Sequence, residues 1–129
     1  MAELIIKHLV EQAGLSERFT ISSAATTMGE LSNDIYPNAK AELKRHGIPL
    51  EHRRARQIRS DEEWDLIIAM DMENLNDIKS IAPEKKVKLL MSFAGEDRAV
   101  SSPWYTRDFA RAYNDIYRGC EGLLRNLLR

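Results

Sequence analysis

The chain has 129 residues, 43% hydrophobic and 30% charged, with a formal net charge of -1. That length fits one domain burying roughly two thirds of the surface its unfolded chain exposes, and the balanced charge gives no global pull towards nucleic acid or acidic membranes. One cysteine, Cys120, excludes an internal disulfide, and no 18-residue apolar run or signal-type segment occurs, so a reducing cytoplasmic location is expected.

In chain order, Met1 to Ala13 places Leu4, Ile5, His8, Leu9 and Gln12 along one helical face, with Glu3 and Lys7 at i,i+4, and Gly14 ends the helix. A helix with no strand feeding it is unusual in an α/β protein, and a strand is expected in front of it. Phe19 to Ser23 reads as a short strand. The polar stretch from Ala24 to Asn38, with Gly29, Asn33 and Pro37, reads as a surface loop suited to a site rim. Ala39 to His46 is a second helix, with Lys44, Arg45 and His46 in its last turn and Gly47 just past its end. Ile48 to Ser60 is a connector. Its cluster Arg53, Arg54, Arg56 and Arg59 reads as a solvated face rather than an anion patch, because Asp61, Glu62 and Glu63 follow it.

The stretch Leu66 to Met70 organises the rest. An apolar run without alternation marks a strand covered on both faces, as in a parallel sheet. Asp71 is a good N-cap for a helix carrying Leu75, Ile78 and Ile81 and ending near Pro83. Ligands in open parallel sheets bind beyond the carboxyl ends of strands, so the Met70, Asp71 corner should face the site. Lys86 to Met91 gives a third strand, and Ser92 to Thr106 a long loop through Gly95 and Pro103, of the kind that carries function. Asp108 to Leu128 is the last helix, with Phe109, Ala112, Ile116, Cys120, Leu123, Leu124 and Leu127 on its core side. On that stripe Cys120 reads as an apolar filler. His8, His46 and His52 are scattered, so no metal site is expected, and nothing calls for a cofactor. Trp104 and Tyr105, next to Pro103, fit a site wall and a core cap equally well.

Several separated segments, taken in order, resemble the low-molecular-weight protein tyrosine phosphatases over essentially the whole chain. Met1-Ala-Glu is similar to the segment after that family's phosphate loop, Ser23-Ala-Ala-Thr26 to the end of its second strand, and His46-Gly-Ile48 to the close of its second helix. His52 with Ala55-Arg-Gln57 resembles its connector, Ala69-Met-Asp71 with Glu73-Asn-Leu75 its third strand and helix, and Pro103-Trp-Tyr105 with Asp108-Phe109 its acid loop. The resemblance implies a three-layer α/β fold with a parallel sheet. It also implies hydrolysis of phosphotyrosine proteins or aryl phosphates through a cysteinyl phosphate, without a cofactor. Residue by residue it implies that Ser23 and His52 support the phosphate loop and that Trp104 and Tyr105 wall the substrate ring.

Two departures fall on catalytic groups. No Cys-x5-Arg-Ser occurs, so the nucleophile, phosphate loop and interior first strand of the family pattern are absent. At the general-acid position the family's Asp-Pro reads Ser102-Pro103, and a serine hydroxyl is no acid near neutral pH. The expectation is a single phosphatase-like domain over residues 1–129, N-terminally incomplete and inactive as given. The missing strand is then explained by a gene start at an internal methionine, by a truncation, or by a partner, such as a second copy, that closes the sheet. The alternatives are a non-catalytic interaction module on the same scaffold, or a relative of the arsenate reductases that share the fold. No nucleic-acid or membrane partner is expected.

Overall fold

The computed structural model describes residues 1–24, 37–50, 63–82, 86–101 and 108–128. At its centre two short parallel strands pair, β1 (Ile67–Ala69) with β2 (Val87–Leu89), in the register Ile67 to Val87, Ile68 to Lys88 and Ala69 to Leu89. The crossover between them is a helix, here α3 (Met72–Ile81), as a parallel pair requires. Side chains alternate across a strand, and here both sides are covered. Ile67 and Ala69 pack with Ile78 of α3 and with Leu89, whereas Leu66, Ile68 and Met70 join the larger core on the opposite face. The uninterrupted apolar run is thus explained by two-sided burial.

The larger core is built by α1 (Ala2–Gln12), α2 (Pro37–Arg45) and α4 (Phe109–Leu127). Ile5 and Leu43 are fully buried in it, and Leu90, Ile116 and Cys120 join them. α1 turns a different face inward from the one expected. Ile6 and Val10 are buried with Leu4 and Ile5, while Gln12 is exposed and His8 half-buried. The apolar residues win the core side and the polar pair is left at its border. Glu3 and Lys7 form the i,i+4 pair at 2.8 Å.

α1 and α2 stop in the same way. Gly14 (φ 72°) and Gly47 (φ 71°) take the left-handed conformation that glycine adopts without strain. Past Gly14 the Leu15 N–H reaches back to the Val10 carbonyl, and past Gly47 the Ile48 N–H reaches the Leu43 carbonyl, both at 3.0 Å. These are Schellman endings, and the second seals Ile48 against Leu43 in the core. α2 begins at Pro37, two residues before its expected start, because proline's fixed φ suits a first helical turn. Its end is anchored by His46, whose ring stacks on Tyr113 of α4 with centroids 3.7 Å apart.

Three further expectations are corrected. Phe19–Ser23 is not a strand: Phe19 is extended (φ -131°, ψ 137°) and follows a short 3₁₀ turn at Ser16–Arg18, but the segment lies outside the two-stranded sheet. Phe19 and Ile21 are half-buried between exposed residues and pack against the larger core, so the segment's apolar side chains find burial without joining that sheet. The last strand ends at Leu89, since Leu90 and Met91 open a 3₁₀ helix (Leu90–Ala94) that buries both against α4. On α4 the buried stripe runs through Tyr113, Asp115, Gly119 and Gly122 as well as Ala112, Ile116, Cys120 and Leu123, while Leu127 is exposed.

Candidate functional site

Three segments meet at the carboxyl end of β1, and the sequence explains each. The apolar strand stops at Asp71, whose side-chain carboxylate accepts the Asn74 N–H at 2.7 Å and so caps α3. The chain after the 3₁₀ helix turns back through Gly95 (φ 78°) and runs past this corner, where the Val100 N–H donates to the Met70 carbonyl at 2.9 Å. The third segment is the buried face of α4, which reaches the same place through Asp115.

Asp115 is 96% buried, on a helix face otherwise made of apolar and small residues. A carboxylate there must be paired and hydrogen-bonded. Arg98 supplies both prongs of its guanidinium, Nη1 to Oδ2 and Nη2 to Oδ1, each at 2.9 Å, and the Ser101 N–H adds a third bond to Oδ2 at 2.9 Å. The Arg98 bonds, then those from the Ser101 backbone and hydroxyl, hold the Asp115 carboxyl well below the usual carboxylate range against the opposing effect of burial. The same pairing pushes Arg98 upward. Glu96 bridges Arg98 (3.2 Å) and Arg118 (2.6 Å), and both guanidinium groups lower its pKa.

Of the residues singled out from the sequence, Asp71 stands at this corner, on the carboxyl end of β1. Ser101, the neighbour of Ser102, is tied to Asp115, and Val100 before it is bonded to the Met70 carbonyl. Ser23 is exposed in the extended segment after Phe19. His52, Ser102, Trp104 and Tyr105 lie outside the described residues, as does the Arg53 to Arg59 cluster. The Arg98–Asp115 pair was not anticipated. Its one sequence signal is an acid on the buried stripe of the last helix, which demands a cationic partner without naming it.

Cys120 sits one turn beyond Ile116 at 1% exposure, with Sγ 4.0 Å from the Ala2 carbonyl oxygen. Burial pushes its thiol from the ordinary 9.0 up to about 12. It therefore lacks the accessible, thiolate-favouring setting that makes a cysteine a nucleophile. Among the described residues no group of three or more His, Cys, Asp or Glu is placed to hold a metal ion, and no helix is long and apolar enough to cross a membrane.

Comparison with known proteins places this geometry. The sequence model of the family described as low molecular weight phosphotyrosine protein phosphatase matches residues 1–129. The chain is 32% identical over 134 residues to the low molecular weight protein-tyrosine-phosphatase YfkJ of Bacillus subtilis, covering 98% of this chain and 86% of that one. It is 31% identical over 134 residues to the low molecular weight phosphotyrosine protein phosphatase of Homo sapiens, covering 96% and 84%. The crystal structure of Bacillus subtilis YfkJ superposes with a TM-score of 0.92 at 30% identity, over 98% of this chain and 84% of that one. With the family model matching residues 1–129, relatives above 30% identity along nearly the whole chain and a shared α/β fold, the chain belongs to the low molecular weight phosphotyrosine protein phosphatase family.

Proposed function

We propose that these 129 residues carry the scaffold and the ligand-end corner of a phosphotyrosine phosphatase but do not, as they stand, hydrolyse aryl phosphates. The observation that carries this reading is Cys120, the only thiol in the sequence, locked in the α1–α4 core with its thiol at about 12. At pH 7 a thiol of that pKa is ionised in roughly one molecule in 10⁵, and attack on phosphorus requires the thiolate. The second support is Ser102 at the position where the family pattern has an aspartate ahead of proline. A hydroxyl cannot protonate a departing phenolate near neutral pH, a contribution typically worth about a hundred- to ten-thousand-fold.

In this reading Trp104 and Tyr105 form the wall for an aromatic ring, Asp71 faces the ligand, and Ser23 and His52 hold the positions that in the family pattern brace a phosphate loop which these residues do not include. The substrate class is a phosphotyrosine protein in the reducing cytoplasm. The experiment is turnover of p-nitrophenyl phosphate by the 129-residue chain beside its Cys120→Ser variant. Equal, background rates are expected, and a wild-type rate clearly above the variant's refutes the reading. Ser102→Asp in the same chain is expected to add nothing, because an acid without a nucleophile has no leaving group to serve.

A second reading makes the chain an interaction module that pairs with its own copy. It is supported by β1, which has β2 as its only strand neighbour among the described residues while both of its faces are buried. An apolar strand with one free edge recruits another chain. Light scattering is expected to give a dimer, and a monomer with one cooperative unfolding transition removes this reading.

A further inference from the structure

We propose that Asp115 is the positioning residue of the ligand end: through Arg98 and Ser101 it holds the strap 96–101 against the carboxyl end of β1 and so fixes the strap's place at the Met70, Asp71 corner. The assignment rests on reading the Met70, Asp71 corner as the site.

The strap is tied at three points. Asp115 grips its far end by the Arg98 fork and the Ser101 N–H. Arg118, one turn along α4, grips its near end through Glu96 at 2.6 Å. Between these the Val100 N–H reaches the Met70 carbonyl, one residue before Asp71. Arg98 also donates Nη1 to its own neighbour, the Ala99 carbonyl, at 3.0 Å, which curls the strap around the guanidinium. A bidentate arginine–carboxylate pair fixes direction as well as distance, because both groups are planar.

A general stabilising role explains the arrangement less well. A well-packed apolar residue at a buried helix position commonly stabilises as much as an ion pair or more, without its desolvation. The strap contributes only Val100 to the larger core, so the scaffold does not depend on it. What the charge adds is geometry: the residue preceding Ser102 is bonded to α4, and the residue before that to β1.

The test is backbone amide exchange followed by NMR on the full chain, for Asp115→Asn, Arg98→Met and the double variant. Losing a charge-assisted bond should open the strap, lowering protection at Val100 and Ser101 by about ten- to a hundredfold. Amides of Val10 in α1 and Cys120 in α4 report global unfolding, so they should fall only by the overall cost of each substitution and stay far better protected than Val100 and Ser101 in every variant, and the double variant should open no further than either single one. Arg98→Lys, which keeps the charge but not the fork, should restore less than half of the lost protection on a logarithmic scale. Val100 and Ser101 remaining as protected as Val10 and Cys120 in the variants would make the pair a mere scaffold contact that opens only with the whole domain, and unchanged protection at Val100 would overturn the proposal outright. If Asp115→Asn does not fold, Arg98→Met decides alone, since the Arg98 side chain is 38% exposed and its loss leaves Asp115 the Ser101 N–H and the Arg118 guanidinium at 3.8 Å. The readout uses no substrate, so it stands apart from the turnover assay.

Discussion

Gly122 of α4 lies against the backbone of Phe93 so closely that a Cβ added there would collide with the Phe93 carbonyl oxygen and sit 2.6 Å from its carbonyl carbon. Backbone cannot swing aside as a side chain can, so Gly122→Ala must push the 3₁₀ helix away from α4. A loss of at least 2 kcal/mol, on the order of the upper range for overpacking, is expected in urea unfolding. Gly119→Ala is the contrast. Its Cβ would meet a side chain rather than backbone, the buried Leu90 at Cγ, 2.6 Å away, and alanine's gain of about 1 kcal/mol of helix propensity offsets part of that crowding, so the loss should be smaller than at Gly122.

The Cys120 thiol makes stability fall in alkali. Its folded pKa, about 12, lies above the ordinary 9.0, so the native state holds its proton where the unfolded chain has released it. The contribution is complete below pH 9 and is lost as pH rises towards 12, at up to about 1.4 kcal/mol per pH unit. Burial raises Tyr113 too, with the same sign, so the diagnostic quantity is a difference. The stability gap between the wild type and Cys120→Ala should be flat from pH 6 to 8 and shrink above 9. A gap that stays constant to pH 11 would mean that the thiol is not sealed.

Asp115 acts in the opposite direction. Its carboxyl is depressed by Arg98 and Ser101, so its contribution is present above the ordinary 3.8 and is lost as pH falls through the lower folded value. Asp115→Asn should cost roughly 1–3 kcal/mol at pH 7, the worth of hydrogen bonds to a charged group, tempered because Arg98 is partly exposed. Thermal unfolding should show that cost unchanged down to about pH 5 and reduced below the ordinary carboxylate range.

Asp71 is the N-cap of α3, bonded to the Asn74 N–H at 2.7 Å. Asp71→Ala should lower stability by about 1 kcal/mol, and Asp71→Ser should keep most of it. Equal losses in both variants would show that the carboxylate serves the corner's electrostatics rather than the cap.

The features legible in the sequence were those set by neighbours along the chain. The run Leu66 to Met70 announced two-sided burial, Asp71 announced its helix, and Gly14 and Gly47 marked endings that the structure closes with Schellman bonds. Cys120 was legible as filler because the i,i+4 stripe around it is apolar. What escaped needed partners from a distance. Leu90 and Met91 prolong the apolar run of β2, and no periodicity separates a buried strand from a buried 3₁₀ turn. Phe19 to Ser23 has strand composition, but a strand exists only by pairing. Asp115 stands out as an acid on a buried face, yet Arg98, Arg107, Arg111 and Arg118 all competed as its partner until the fold brought the Arg98 fork to it at 2.9 Å and left Arg118 at 3.8 Å.

The packing of α1 on α4 also sets a timetable for synthesis. α1 ends at Gln12 and α4 begins at Phe109, so the apolar face of Leu4, Ile5, Ile6 and Val10 leaves the ribosome long before the helix that covers it. At ~5–20 residues per second that face waits on the order of ten seconds. During that interval α1, rather than α4, is the segment most exposed to misassembly and most in need of a chaperone's cover.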